Sequence, residues 1–202
     1  MNLSRLFLLA VAGCCLMHPA SLPAQDALGN QASFYSADLV ITGKGQNTTQ
    51  KIYTDNGKIR TETTLQGLQV VTIIRPDLQK VYQMLLPQKM LVEIPYDPNK
   101  FKTQTAAASG PQGKFELIGT EPVAGDPCKK YKVTSDRGKI ILFWVDAATQ
   151  APVKMMAQDN SFTILWKNYE AGPQDASLFA PPTDYKVVTI SSAPAAADSS
   201  VR

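Results

Sequence analysis

Hydrophobic and polar residues alternate through most of the chain. From Phe34 onward the apolar positions recur with a period near two, and turn residues interrupt them about every eight to twelve positions. This pattern is typical of an antiparallel β-sheet, and it shows almost no helical periodicity. It predicts about ten or eleven strands, at 34–41, 51–55, 58–62, 68–74, 81–86, 90–94, 115–119, 130–134, 139–145, 153–157 and 161–169.

The clearest hairpin surrounds the Asn-Gly pair at 56–57. Asn-Gly favours the positive φ angles of a type I′ turn, which joins two strands through two residues. This turn places Tyr53 opposite Arg60, because the register of a hairpin follows from its turn. Ile52 and Ile59 are then expected on the other face of the sheet.

The segment 96–114 differs from the strands around it. It contains Pro98, a Thr- and Ala-rich run at 103–108 and a Gly-Pro-Gln-Gly sequence at 110–113. These features predict one short helix or a mobile flap that crosses an open end of the sheet. The segment is the lid candidate of the fold.

The first 24 residues have the three parts of an export signal. A short region with one positive charge at Arg5 precedes an apolar run at 6–17, and a Pro-containing region follows. Leu22 and Ala24 suit signal peptidase, which would cut before Gln25. The apolar run is too short for a permanent membrane span, so we expect a periplasmic protein.

A second processing site overlaps this signal. The sequence Val-Ala-Gly-Cys at 11–14 resembles a bacterial lipobox, in which Cys14 would be acylated and would anchor the protein to a membrane. With cleavage before Gln25, the chain divides into a signal peptide at 1–24 and one domain at 25–188. Residues 189–202 offer no large apolar surface to bury, and we expect a disordered tail there.

Charge and composition exclude several classes of function. The 20 Lys and Arg residues are interspersed with 17 Asp and Glu, giving a formal net charge of +3 without a basic stripe for nucleic acid. Cleavage after Ala24 would remove His18, Cys14 and Cys15, leaving Cys128 as the sole thiol and no histidine. A Ser-His-Asp or Cys-His arrangement cannot then form, and no phosphate-binding loop is present. We therefore expect no enzyme activity, metal or cofactor.

The remaining candidates for chemistry are few. No two carboxylates form a close pair in sequence, and the acidic residues considered for acid-base roles are Glu62, Asp77, Glu93 and Glu116. Cys128 follows a Gly-Asp-Pro turn and precedes two lysines. Those lysines could lower its pKa and make it reactive, whereas the alternative is a small buried strand residue.

Several strands are apolar on both sides, namely 70–74, 82–86 and 140–145. A one-sided antiparallel sheet would carry polar residues at alternate positions. One explanation is a sandwich or a covered sheet, in which both faces are buried. The other is a curved sheet whose concave face lines an apolar cavity.

The order of short motifs resembles the LolA/LolB-like superfamily of bacterial envelope proteins, and it is most similar to a small periplasmic subgroup of unknown function. The segment Asn-Gly-Lys-Ile-Arg-Thr-Glu at 56–62 is similar to that family's "PGKFRWE" stretch. Other matching segments are the first strand at 34–41, Thr-Ile-Ile-Arg-Pro-Asp at 72–77, Phe-Trp-Val-Asp at 143–146, Gln-Ala-Pro-Val-Lys at 150–154 and Asp-Ala-Ser-Leu-Phe-Ala-Pro-Pro at 175–182.

The resemblance implies a mainly β fold, an incomplete and strongly curved antiparallel β-barrel with a short helix or flap as its lid. In carrier members the enclosed apolar cavity holds the acyl chains of lipoproteins. Arg60 matches the family arginine that contacts the lid, which implies a lid-latch role. That role requires Arg60 to face the cavity. The hairpin register instead places Arg60 on one face of the sheet and the expected lining residues Ile52 and Ile59 on the other.

Together these observations predict a periplasmic module that binds or carries an apolar group, either a lipoprotein acyl chain or another lipid. The alternative is a structural or signalling envelope protein that docks another protein on its sheet. From the alternation of the strands we expect the cavity to be lined by Leu39, Ile41, Ile52, Ile59, Val71, Ile73, Met84, Val92, Leu142 and Trp144.

Overall fold

The turn at Asn56-Gly57 forms as the sequence predicts. Both residues have positive φ angles, of 47° and 82°, as a type I′ turn requires. Tyr53 lies opposite Arg60 in the resulting hairpin, and Ile52 lies opposite Thr61 on the other face. The predicted register is therefore confirmed.

The computed structural model describes residues 33–43 and 45–189. These residues form twelve strands, which are β1 (Phe34–Gly43), β2 (Gln46–Asp55), β3 (Lys58–Leu65), β4 (Leu68–Arg75), β5 (Lys80–Leu85), β6 (Met90–Pro95), β7 (Lys114–Val123), β8 (Asp126–Thr134), β9 (Ile140–Asp146), β10 (Pro152–Ala157), β11 (Phe162–Ala171) and β12 (Lys186–Thr189).

All twelve strands belong to one curved sheet in the order β12-β6-β5-β4-β3-β2-β1-β11-β10-β9-β8-β7. The order is linear, with β12 at one edge and β7 at the other. The sheet does not close into a barrel, so the predicted incomplete, strongly curved, mainly β fold is confirmed.

The structure has one strand more than the eleven segments that the sequence predicts. β12 is a four-residue strand that pairs in parallel with β6, whereas the other neighbours are antiparallel. All four of its residues are exposed, so it lacks the apolar alternation that identifies the other strands. It also contains Thr189, which the sequence assigned to the tail.

The strand pairing separates the side chains into two faces. The concave face carries a large cluster of buried residues, including Tyr35, Ile52, Ile59, Phe143 and Trp166. The opposite, convex face carries a smaller cluster over β3–β6, around Ile73. Both faces are thus buried in places, which explains why several strands are apolar on both sides.

One α-helix, α1 (Lys102–Ser109), connects β6 to β7. Ala107 and Ala108 of this helix are buried in the concave cluster. The ring of Phe101, just before the helix, stacks on Tyr96 with a centroid distance of 6.1 Å. The lid segment is therefore a short helix lying across the concave face.

A second cover lies on the convex face. Residues 172–185, which connect β11 to β12 and which we call the C-terminal strap, contain a short 3-10 helix at Ala176–Phe179. Phe179 is 1% exposed and packs into the convex cluster with Ile73, Tyr82 and Leu91. The strap therefore takes the place of a second sheet over β3–β6.

The predicted signal peptide at 1–24, Cys14 and the tail beyond Thr189 lie outside the described residues. No helix within the described ranges is long and apolar enough to cross a membrane.

Candidate functional site

Aromatic side chains form the centre of the concave face. Trp166 of β11 meets the ring of Phe143 edge-on at 6.2 Å, and its indole N–H donates to the Tyr35 hydroxyl at 3.4 Å. Tyr35 in turn stacks on Tyr169 at 4.9 Å. Large rings in such contacts supply extensive apolar area with defined geometry, so this face can bind an apolar group.

Helix α1 covers these rings with small side chains. Its contribution to the buried cluster is Ala107 and Ala108, which are 5% and 2% exposed. The Tyr35 hydroxyl donates to the carbonyl oxygen of Ala108 at 2.8 Å. Because methyl groups bury little area, the helix is held more weakly than a helix with large apolar residues would be.

Half-buried apolar residues surround the buried cluster. They pack against it but keep part of their surface in solvent, and they are Ile41, Ile94, Tyr96, Phe101, Phe115, Ile141, Phe162 and Tyr169. They come from both halves of the sheet and from the start of the α1 connection. Together they form an apolar rim around the covered centre of the concave face.

The structure brings together half of the predicted lining residues. Leu39, Ile52 and Ile59 belong to the buried concave cluster, and Ile41 packs against it. Val92 lies on the same face, opposite Gln83, and is half-buried.

The other five residues lie on the convex face and cannot line the same cavity. Val71, Ile73 and Met84 belong to the convex cluster, where the C-terminal strap covers them. In β9 the concave positions are those of Phe143 and Val145, so Leu142 and Trp144 point the other way. The strap covers Val71, Ile73 and Met84, and charged side chains cover Trp144.

Trp144 is 1% exposed, and three charged side chains lie against it. Its indole N–H donates to Glu121 at 2.7 Å, and the ammonium groups of Lys130 and Lys154 lie 4.9 and 4.7 Å from its ring. The hydrogen bond from Trp144, followed by that from Lys130, holds the pKa of Glu121 below its ordinary value. Two lysines and a carboxylate thus bury the ring.

Arg60 binds the C-terminal strap, whereas the resemblance implied that it would contact the lid, which is helix α1. It lies on the convex face and donates to the carbonyl oxygen of Leu178 at 3.0 Å, while Glu62 binds its other side at 2.7 Å. Arg75 lies one strand away in β4. It donates to the carbonyl oxygen of Phe179 at 3.0 Å and forms an ion pair with Asp77. Two arginines therefore fasten consecutive carbonyls of the strap.

Sequence reasoning missed Tyr35, Ile74, Phe143 and Trp166 as concave residues. A usable signal existed for Ile74, because the two-residue turn at 66–67 pairs Ile59 with Ile74, and Ile59 was already assigned to the lining. Tyr35 also alternates with Leu39 and Ile41 in β1. Phe143 had no such signal, since β9 is apolar from Ile140 to Val145. For Trp166 the signal was weak, because Leu165 interrupts the alternation of apolar and polar residues in β11.

A cavity of about 540 Å³ opens at the ends of β2–β4, away from α1. Its lining mixes hydroxyl, amide, charged and aliphatic groups, namely Thr49, Lys51, Glu62, Thr63, Thr64, Gln69, Val70, Val71 and Leu86. This composition differs from the uncharged apolar centre of the concave face.

The acidic residues considered for catalysis are all in ion pairs. Glu62 binds Arg60, Asp77 binds Arg75, Glu93 binds Lys80 and Glu116 lies 3.9 Å from Lys132. Cys128 is buried, and burial raises the pKa of its thiol, which supports the structural interpretation of this cysteine. In the part of the chain that the structure describes, no group of His, Cys, Asp and Glu could hold a metal ion.

A family model for a domain of unknown function, DUF4412, matches residues 37–148. The chain belongs to the DUF4412 family. The matched region runs from β1 to the end of β9 and so contains α1 and most of the concave face. A comparison with curated protein sequences found no match.

Solved structures resemble this DUF4412 protein in fold. An uncharacterized conserved protein from Thermus thermophilus matches with a TM-score of 0.60 and 15% identity, over 83% of this chain and 97% of that chain. MucB matches with a TM-score of 0.50 and 14% identity, over 82% of this chain and 64% of that chain. This chain therefore spans less than two thirds of MucB, which has also been solved in complex with MucA(peri).

The LolA superfamily protein NE2245 from Nitrosomonas europaea also matches, with a TM-score of 0.39 and 9% identity, over 79% of this chain and 98% of that chain. At these identities a match concerns the fold alone. The TM-scores of 0.60 and 0.50 show that the chain shares its fold with the Thermus thermophilus protein and with MucB.

Proposed function

We propose that this protein is a non-enzymatic periplasmic binding or carrier module, which sequesters a lipoprotein acyl chain or another lipid against the concave face of its sheet. The observation that carries this proposal is that the sheet lines the site with large aromatic rings, whereas the helix that covers it contributes only small side chains to the buried cluster. The sheet contributes Tyr35, Phe143 and Trp166, whereas the covering helix contributes two buried alanines.

Displacement of α1 by an acyl chain is energetically reasonable. The helix loses two small contacts and the Tyr35–Ala108 hydrogen bond, which together are worth about 2–3 kcal/mol. Each buried methylene of a ligand returns about 0.8 kcal/mol. A chain of several methylenes therefore offsets the loss, and an isolated eight-residue helix has little stability of its own to resist displacement.

The apolar rim gives a ligand a place to enter. Phe101 and Tyr96 lie at the start of the α1 connection, and Phe115 lies just after it. An acyl chain that slides between the rim and the helix would meet apolar surface at every step. The export signal predicted at residues 1–24 supports a periplasmic location, where such ligands are handled.

The first test is native mass spectrometry of the protein purified gently from cells, with organic extraction of any adduct. A stoichiometric lipid is the expected result. The matched pair of variants is V92E, which places a charge on the half-buried concave position of β6, and Q69E, which adds the same charge at an exposed convex position of β4.

V92E should lose the lipid and Q69E should keep it. A clean ligand-free mass for the unaltered protein, with no uptake of an uncharged fluorescent dye, would contradict the proposal. The same spectra also give the processed mass, which distinguishes cleavage before Gln25 from acylation at Cys14.

A second candidate function is the docking of another protein, and one observation favours it. Leu117 and Ile118 of edge strand β7 are 57% and 45% exposed, and an extended segment could add to that edge. The complex of MucB with MucA(peri) supports a protein partner for a protein of similar fold. I118K would abolish capture of such a partner without affecting lipid content, whereas loss of both would contradict docking at β7.

A further inference from the structure

Polar side chains form one line across the concave face of β2–β5. Gln83 in β5 lies opposite Thr72 in β4, and Thr72 lies opposite Thr61 in β3. Thr54 in β2 is the diagonal neighbour of Thr61, about 7 Å away. We call these four residues the polar track.

The exposure of the track falls steadily along its length. Gln83 is exposed and Thr72 is half-buried, whereas Thr61 is 9% exposed and Thr54 is 3% exposed. The buried end lies in β2, which α1 contacts. The track therefore runs from solvent to the concave region beside the helix.

The buried end of the track is an unused hydrogen-bonding group. The Thr54 hydroxyl oxygen has no hydrogen-bond partner in the described part of the chain. Its cross-strand neighbours Tyr35 and Ile59 belong to the apolar cluster. A buried hydroxyl without a partner is unfavourable and rare, so it marks a point where a polar atom of a ligand fits.

The concave face around the track carries no charge. Every charged residue in strands β1–β6 occupies a convex position, where it alternates with the concave residues. These residues are Asp38, Lys51, Asp55, Lys58, Arg60, Glu62, Arg75, Lys80 and Glu93. An ionised ligand group on the track would therefore lack a counter-charge, which makes its burial costly.

We infer that the polar track binds an uncharged oxygen-bearing group of the ligand, an ester or an alcohol, and that Thr54 donates a hydrogen bond to that oxygen. The inference rests on the proposed function, because the apolar chain of the same ligand lies on the concave rings. It assigns the ligand class as a neutral acyl ester, in preference to a free fatty acid.

The test compares a monoacylglycerol with the fatty acid of the same chain length at neutral pH, where the carboxyl group is ionised. The readout is Trp166 fluorescence in the W144F variant, because Trp144 and Trp166 are the two tryptophans of the chain. The ester should bind at least about tenfold more tightly, the effect of one hydrogen bond or one unpaired charge. Equal or tighter binding of the fatty acid would overturn the inference.

A pair of threonine variants tests the role of Thr54. T54V keeps the size of the side chain and removes its hydroxyl, while T64V does the same at an exposed convex position of β3. T54V should weaken ester binding about tenfold and leave binding of an uncharged apolar dye unchanged, and T64V should change neither.

Three outcomes separate this inference from the proposed function. An equal effect of T54V on ester and dye would overturn the role of the hydroxyl. Dye binding without a preference for the ester would overturn the ligand class while the apolar site stands. Failure of dye, ester and fatty acid alike would overturn the proposed function itself, and the inference with it.

Discussion

Tyr35 in β1 donates a hydrogen bond of 2.8 Å to the carbonyl oxygen of Ala108, near the end of α1. Burial raises the pKa of Tyr35, so its hydroxyl stays protonated and remains a donor throughout the physiological pH range. The same hydroxyl oxygen accepts a hydrogen bond from Trp166. One phenol thus ties the lid helix to the neighbouring strands β1 and β11.

The Y35F variant removes this tie and keeps the ring. We expect a loss of about 1 kcal/mol in the free energy of unfolding, because the Ala108 carbonyl loses its partner. Amide hydrogen exchange in α1 should accelerate more than exchange in β1, and uptake of an apolar dye should increase. Y53F, on the convex face of β2, is the matched control. Unchanged exchange in α1 would show that the hydrogen bond does not hold the helix.

The two arginines on the convex face predict a different effect, confined to the strap. R60A or R75A removes a charged donor from a strap carbonyl, which should cost about 1–2 kcal/mol each. Limited proteolysis should then cut residues 172–185 sooner, while α1 exchanges as before. R137A, at an exposed turn residue, is the control. Faster exchange in α1 of R60A would instead favour the lid-latch role that the resemblance implied.

The sequence predicted the strands well because alternation and turn residues are local signals. The eleven predicted segments correspond to β1–β11, and the type I′ turn at Asn56-Gly57 set the register of its hairpin. β12 was missed because it pairs in parallel at an edge and buries no side chain. Its position depends on the strap, which is a tertiary feature.

The faces of the site were harder to predict than the strands. Alternation identifies a face only where the other face is polar, and here Phe179 of the strap buries Ile73 while two lysines bury Trp144. Neither cover lies next to these residues in sequence. Leu39 and Ile52 do lie on the concave face, where alternation is informative because their strands carry polar residues on the convex side.

Glu121 predicts a dependence of stability on acid pH. Its pKa is lowered in the folded protein by Trp144 and then Lys130, so the folded state holds its proton less tightly than the unfolded state does. The stabilisation is therefore present above the ordinary pKa of glutamate and is lost as the pH falls through the folded value. The E121Q variant should be less stable than the unaltered protein at neutral pH.

The stability difference between the two proteins should narrow as the pH falls below the ordinary pKa of glutamate. Denaturant unfolding across that pH range measures this difference. The W166F substitution leaves Trp144, which contacts Glu121, as the tryptophan whose fluorescence reports unfolding. A difference that stays constant with pH would show that the carboxylate charge contributes nothing there.

Cys128 should be unreactive in the folded protein. Its side chain is 0% exposed, and burial, the largest influence, raises its pKa even though Lys129 and Lys130 follow it in sequence. A maleimide at neutral pH should label the Cys128 peptide only after denaturant unfolds the sheet, as peptide mass spectrometry would show. Labelling of the native protein within seconds would support the reactive-thiol interpretation instead.

The Thr54 hydroxyl is expected to lower the stability of the ligand-free protein and to strengthen the binding of the ligand. In the ligand-free protein its hydroxyl is buried without a partner, an arrangement that costs about 1–2 kcal/mol. T54V should therefore raise the free energy of unfolding while it weakens the binding of a neutral ester. T61V is the comparison at a less buried position of the polar track, and it should change stability less. A destabilised T54V would contradict this, because removal of a hydroxyl that already has a partner leaves that partner unsatisfied.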